Sequence, residues 1–156
     1  MKAERSYPSV TVTAKAEAAL TAGHPWVYGE EIVESRGEAE NGGLTDVLSR
    51  KGRYLGTGLV SRTSKIRVRL ISRNANDTFD AAFWERKLRW AWEYRKTVLP
   101  PEDLSCCRLI FGEADGFPGL TVDRFGPLLS VQVLSVGMEV RKTELLTALV
   151  RLLRRD

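Results

Sequence analysis

One stretch, residues 50–73, constrains this chain more than any other. Its 24 positions carry eight Lys or Arg and no Asp or Glu. At the overall frequency of 20 acids in 156 residues, about three acids would be expected there. The second half also alternates. Ile66, Val68 and Leu70 share one parity, and Lys65, Arg67 and Arg69 share the other. A period of two predicts a strand with one face on a core and one in water. The watery face is wholly cationic, with basic side chains about 7 Å apart along the strand. That spacing suits a polyanion such as a nucleic-acid backbone. It also fits an ordinary solvated strand, and charge alone does not separate the two.

Bulk composition narrows the setting. A hydrophobic content of 43% with 28% charged residues describes a globular chain able to bury a core. The net charge of +4 is unevenly placed. Residues 1–74 carry 12 basic and 8 acidic side chains, and residues 75–156 carry 12 and 12. The two cysteines, Cys106 and Cys107, are adjacent. Neighbours rarely bridge, so a reducing, cytoplasmic setting without a structural disulfide is expected. No signal-peptide core or apolar run of membrane length is present, so no membrane partner is expected.

Taken in order, residues 1–8 read as a loose leader and 10–13 as a short strand. Thr13 can cap a helix over 14–22 that Gly23 closes. Trp26 and Tyr28 share a side if that segment is extended, and Trp26 reads as a core anchor. Residues 30–40 read as a strand and then a loop; 44–48, 54–60 and 66–71 read as further strands. Gly56 and Gly58 fall on one face of theirs, where another strand or a ligand could approach closely. Many short strands with glycine turns point to a small barrel. After Arg73 the period changes. A cap at Asp77 or Asp80 begins a helix running through Val98, with Trp84, Leu88, Ala91, Trp92 and Arg95 at helical spacing. Phe83, Trp90 and Tyr94 widen its apolar stripe. Strands follow at 107–111, 120–123 and 128–134, with a turn over 124–127. A helix over 140–153 closes the chain, with Val140, Leu145, Leu149 and Leu152 near one face.

The motifs of chemistry are sparse. His24 is the only histidine and makes neither a triad nor a multi-histidine metal site. Glu113, Asp115 and Asp123 lie close in sequence, but their spacing matches no EF-hand. Asp115 can cap the turn before Gly116, and Asp123 can pair with Arg124 or a backbone donor. The glycines at 112, 116 and 119 are not a dinucleotide fingerprint. Neither cysteine has a local activating partner.

Three blocks carry a family resemblance. The first is Gly23-His24-Pro25-Trp26-Val27-Tyr28 with Glu31-Ile32. The second is Gly52-Arg53-Tyr54-Leu55-Gly56-Thr57-Gly58, followed by Ser64-Lys65-Ile66-Arg67-Val68-Arg69. The third is Arg108-Leu109-Ile110 with Gly112-Glu113-Ala114-Asp115-Gly116-Phe117-Pro118-Gly119 and Leu120-Thr121-Val122-Asp123-Arg124-Phe125-Gly126. In this order they resemble the N-terminal region of bacterial class I S-adenosylmethionine-dependent ribosomal RNA large-subunit methyltransferases, whose characterised type makes 5-methylcytosine.

The resemblance implies an α+β chain. A small PUA-like mixed β pseudo-barrel that binds RNA would occupy residues 1–74. A small central α/β domain would occupy 75–156, ahead of a catalytic Rossmann-like domain. That family's cofactor glycine loop, Asp-Pro-Pro motif and catalytic cysteine have no counterpart in these residues. The segment alone is therefore expected to be inactive, with no catalytic, cofactor-binding or metal-binding residue, while a full-length parent would use S-adenosylmethionine. The expected partner is ribosomal RNA, and a homodimer is compatible with this reading. Lys65, Arg67 and Arg69 are the expected RNA contacts, flanked by Arg53 and Arg62, with Tyr54 or Tyr28 meeting an unpaired base. A stand-alone RNA-binding protein and a protein-interaction module for an acidic partner are the alternatives.

Overall fold

The computed structural model describes residues 5–156. The chain divides into two compact units, Met1–Ala75 and Asn76–Asp156. The first unit holds β1 (Ser9–Val12), α1 (Ala14–Thr21), β2 (Trp26–Tyr28), β3 (Ile32–Arg36), β4 (Leu44–Leu48), β5 (Tyr54–Val60) and β6 (Ile66–Ser72). Its sheet runs in the order β2-β6-β5-β4-β1-β3. Only β1 and β4 pair in parallel; every other pair is antiparallel. This is a curled, mixed half-barrel. Its core takes Val12, Val27, Val47, Leu55, Val60, Val68 and Leu70 from the strands and closes with Ala16 and Leu20 of α1.

Local sequence explains the elements. Thr13 caps α1 by accepting from the Ala16 N–H at 3.2 Å, which satisfies one orphan donor of the first turn. The glycines of β5 meet a strand. A methyl group on Gly58 would lie 2.5 Å from the Arg69 carbonyl oxygen, and one on Gly56 would lie 2.9 Å from that of Ser72. Strand β6 therefore presses on β5 where no side chain stands between them. Segment 30–40 begins with a single 3₁₀ turn, Gly29–Glu31, before β3.

The expected loose leader is anchored from Arg5 onward; its first four residues lie outside the described ones. Arg5 donates to both carboxylate oxygens of Asp46, at 2.6 and 3.0 Å, and to Thr57 Oγ1 at 3.0 Å. Thr57 gives its one proton to Asp46 at 2.6 Å, so the Tyr54 hydroxyl, 2.6 Å away, donates to Thr57. The Arg5 guanidinium also sits 4.7 Å from the centre of the Tyr54 ring. Asp46 is buried, and this network satisfies it.

The second unit holds α2 (Ala81–Val98), β7 (Cys106–Phe111), β8 (Leu120–Phe125), β9 (Leu128–Val133), α3 (Val136–Glu139) and α4 (Lys142–Arg155). Its antiparallel sheet runs β7-β8-β9. Asp80, rather than Asp77, caps α2 through the Phe83 N–H at 3.0 Å. Phe83, Trp84, Leu88, Ala91, Trp92 and Arg95 are buried. Trp90 and Tyr94, expected in that stripe, are 62% and 56% exposed. At about 100° per residue Tyr94 falls about a quarter-turn, and Trp90 more, from the centre of the buried face.

Strand β8 runs to Phe125, which pairs with Leu128, so the turn is only Gly126 and Pro127. The closing helix is two helices. Ser135 caps α3 through the Met138 N–H at 3.3 Å and donates to the Pro118 carbonyl at 2.7 Å. Val140 stands at the break, 60% exposed, instead of on the apolar face. Gly119, at φ 84°, lies so close to Ser135 that a methyl group there would fall 2.6 Å from the hydroxyl. The start of α3 is thereby fitted against the 112–119 turn.

The Arg5 network yields a stability prediction. Arg5→Ala leaves the Asp46 carboxylate buried without its cation, so unfolding free energy should fall by about 2–3 kcal/mol, below the range for a fully buried pair because Arg5 is partly exposed. A urea titration followed by circular dichroism measures the loss.

Candidate nucleic-acid interface

The eight cations of 50–73 do not share one surface. Strand β6 has a bulge facing β2. Val27 pairs with Val68 and Tyr28 with Ile66, leaving Arg67 extra. The strict alternation fails there. Val68 and Leu70 are buried as expected, but Ile66 is only half-buried and Ile71 is buried. Lys65 is exposed just ahead of the strand, whereas Arg67 and Arg69 are half-buried. The Arg67 guanidinium lies over Gly29, where a methyl group would come within 3.0 Å of Nη2. Arg69 sits in register with Trp26 on β2 and Leu59 on β5.

Three other basic residues of the stretch, Arg53, Arg62 and Arg73, tie the unit together. Arg53 donates to Glu17 at 3.0 Å and Thr21 at 3.3 Å, bracing the start of β5 on α1. Arg62 donates to the Ala39 carbonyl at 2.7 Å and to Glu38 at 3.2 Å. Arg73 donates to the carbonyls of Leu20 and His24 at 2.5 and 3.1 Å, at the end of α1. Tyr54 belongs to the Arg5 network and is half-buried.

Lys65 and Tyr28 are brought together. The Gly29 N–H donates to the Lys65 carbonyl at 3.0 Å, placing Lys65 beside Tyr28 at the β2 edge. The Tyr28 ring lies nearly parallel to that of His24, with centres 6.2 Å apart, and the His24 ring meets Trp26 edge-on at 5.8 Å. His24 and Tyr28 line an open groove whose other wall is α1, through Ala19, Ala22 and Lys15. Small alanines leave this wall low. Lys15 and Lys65 are exposed, without an ionic partner among the described residues. Glu30 and Glu31 line the groove too, but Glu31 accepts the Tyr28 N–H at 2.9 Å. Lys15 and His24 are the residues that sequence reasoning missed. The shared parity of 24, 26 and 28 was the available signal for His24; nothing local marks Lys15.

The acids of the second unit have structural duties. Asp115 makes a two-pronged pair with Arg95, at 2.5 and 3.2 Å, and accepts the Phe111 N–H at 2.7 Å. Arg95 is buried and also donates to the Arg108 carbonyl at 2.7 Å. Asp123 pairs with Arg108, at 2.8 and 3.1 Å, rather than with Arg124. The Arg108 hydrogen bonds hold its carboxyl below the usual range. No group of three or more His, Cys, Asp or Glu able to hold a metal exists among the described residues. Burial pushes the Cys107 thiol up, away from the reactive thiolate.

Residues 10–73 match the PUA-like domain family. Over 146 residues the chain is 34% identical to ribosomal RNA large subunit methyltransferase I of Klebsiella pneumoniae, covering 94% of this chain and 36% of that protein. It is 36% identical over 143 residues to the protein of the same name from Salmonella typhi, covering 92% and 36%. The chain resembles these methyltransferases over almost its whole length, its PUA-like region included. It spans about a third of the length of these relatives. A Streptococcus mutans chain solved as a candidate SAM-dependent methyltransferase shares the fold, with a TM-score of 0.75 at 19% identity over 90% of this chain and 36% of that one. The groove described above lies within the PUA-like domain.

Two predictions concern the second unit. Asp115→Ala strands the buried Arg95 and should cost about 3 kcal/mol, seen as a lower denaturation midpoint. Lys87 packs against the rings of Phe83 and Phe117, at 5.4 and 5.7 Å, and burial lowers its pKa to about 8. Between that value and the ordinary 10.5 the unfolded chain holds more protons, so this group's penalty is full below pH 8 and fades as pH rises. Lys87→Met should therefore raise Tm more at pH 7 than at pH 10, in paired thermal melts.

Proposed function

We propose that this chain is the RNA-binding and substrate-positioning part of a SAM-dependent ribosomal RNA methyltransferase. The PUA-like residues 1–74 would take the RNA, and 75–156 would form a central α/β domain. The observation that carries the reading is the open groove in which exposed Lys15 faces the His24–Tyr28 ring pair, with exposed Lys65 next to it at the β2 edge of a PUA-like sheet. The two ammonium groups neutralise backbone phosphates, which supplies affinity. The aromatic wall offers a stacking surface to an unpaired base, the element by which RNA is most often read. Half-buried Arg67 and Arg69 on β6 would add positive potential to this side of the sheet. Arg53 and Arg62 lie elsewhere on the unit, and their exposed ion pairs with Glu17 and Glu38 could be exchanged for phosphate.

Methyl transfer, with S-adenosylmethionine as donor and cytosine C5 as acceptor, would belong to the part of the relatives that this chain does not span. A ribosomal target accords with the relatives' names, and the two free cysteines suit a cytoplasmic setting. No described helix is long and apolar enough to cross a membrane.

Fluorescence anisotropy with a labelled hairpin bearing an unpaired loop tests the reading. Lys15→Glu with Lys65→Glu should weaken binding at least tenfold and flatten the salt dependence. Tyr28→Ala should cost about 1–3 kcal/mol, the range for one stacked base, on the hairpin but not on a blunt duplex. Unchanged affinity in both variants, with the fold intact, would reject the groove.

A further inference from the structure

A second cationic feature lies wholly within the second unit. Glu85 and Arg89 stand one helical turn apart on α2, and Arg151 and Arg155 one turn apart on α4. All four are exposed and line a single groove floored by Leu88 and Leu152. Five other arginines of this unit are committed: Arg86 to Asp77, Arg95 to Asp115, Arg108 to Asp123, Arg124 to the carbonyls of Gly126 and Leu104, and Arg141 to the Gly137 carbonyl. Arg89, Arg151 and Arg155 have no ionic or hydrogen-bonding partner among the described residues. The negative end of the α4 dipole accounts for basic residues in its last turns. It does not account for Arg89, halfway along the 18-residue α2.

Three guanidinium groups against one carboxylate leave the groove with an excess of two positive charges. Like charges so gathered repel unless an anion joins them. The groove volume is about 60 Å³, far below the roughly 300 Å³ at which small-molecule and cofactor pockets begin. It suits a compact anionic group attached to something larger. Guanidinium groups bind phosphate oxygens two at a time, which lysines do not.

We propose that the α2–α4 groove seats a backbone phosphate of RNA, an inference that rests on the RNA-binding reading above and adds a contact to the Lys15–Tyr28 groove. Arg89 from one helix and Arg151 and Arg155 from the other would grip the phosphate from two sides. Leu88 and Leu152 keep the floor dry, and Glu85 limits the depth to which an anion enters.

The test uses the whole 156-residue chain and the same labelled hairpin across a series of KCl concentrations. The triple variant Arg89→Gln, Arg151→Gln, Arg155→Gln should keep its thermal melt, bind about tenfold more weakly, and lower the log–log salt slope by about one. An equal-charge control, Arg36→Gln, Lys96→Gln, Lys142→Gln, should lose less than twofold. Equal losses in both triples would reduce the effect to net charge and overturn the inference. Unchanged RNA affinity in the groove variant, beside a loss in the Lys15–Lys65 variant, would overturn this inference and leave the proposed function standing. The reverse pattern supports the α2–α4 groove and removes the first one. Saturable binding of inorganic phosphate that the groove triple abolishes, with RNA affinity unchanged, would make it a small-anion site and overturn the RNA assignment. No RNA binding by the unaltered chain would overturn both.

Discussion

The first unit depends on the close approach of β6 to β5 at Gly58. The gap between a Cβ there and the Arg69 carbonyl oxygen would be only 2.5 Å, so no side chain is tolerated. With Gly56 behaving alike, two neighbouring strands can lie close and the sheet can curl, so that Val68 and Leu70 reach the same core as Val12 and Leu20. The curl puts β6 between β5 and the short edge strand β2. That position hands the Lys65 carbonyl to Gly29 and sets Lys65 beside Tyr28. The candidate interface is thus a consequence of two missing side chains some distance from it.

Charge is divided between building and binding. Arg5, Arg53, Arg62 and Arg73 each join segments far apart in sequence, tying the leader, α1 and the 38–41 loop to the sheet. Arg95 and Arg108 do the same around the 112–126 segment. Such cations are largely satisfied, and moving them to a ligand means giving up protein contacts. Lys15 and Lys65 in one unit, and Arg89, Arg151 and Arg155 in the other, carry no such duty. Free cations gathered in grooves are better binding candidates than an equal number counted along a strand.

The acids of the second unit follow the same logic. Asp115 and Asp123 lie near each other in sequence, which is why a catalytic or metal-binding role had to be weighed. Each is held by an arginine from another element. Asp115 also accepts the Phe111 N–H, which ties the end of β7 to the 3₁₀ turn, Gly112–Asp115. Their chemistry is that of a folded turn: a carboxylate engaged by a guanidinium is neither a free base nor an open metal ligand.

Much of the architecture was legible in the residues themselves. Alternation marked β6, Thr13 and Gly23 framed α1, and the paired glycines of β5 announced a close backbone approach. These features act within a few residues, so sequence alone determines them. The breadth of the α2 stripe, the break at Val140 and the length of β8 were misjudged because each depends on what packs against the element. The site divided in the same way. Sequence drew attention to Lys65, Tyr28 and an excess of positive charge. Only the tertiary structure decided that a bulge would take Arg67 out of the alternation, that Arg53 and Arg62 would be drawn into pairs, and that Lys15 and His24 would complete the groove. Side-chain parity is a local property of an extended backbone, whereas a partner across the fold is chosen by how the sheet curls and which distant carboxylate or carbonyl it brings within reach.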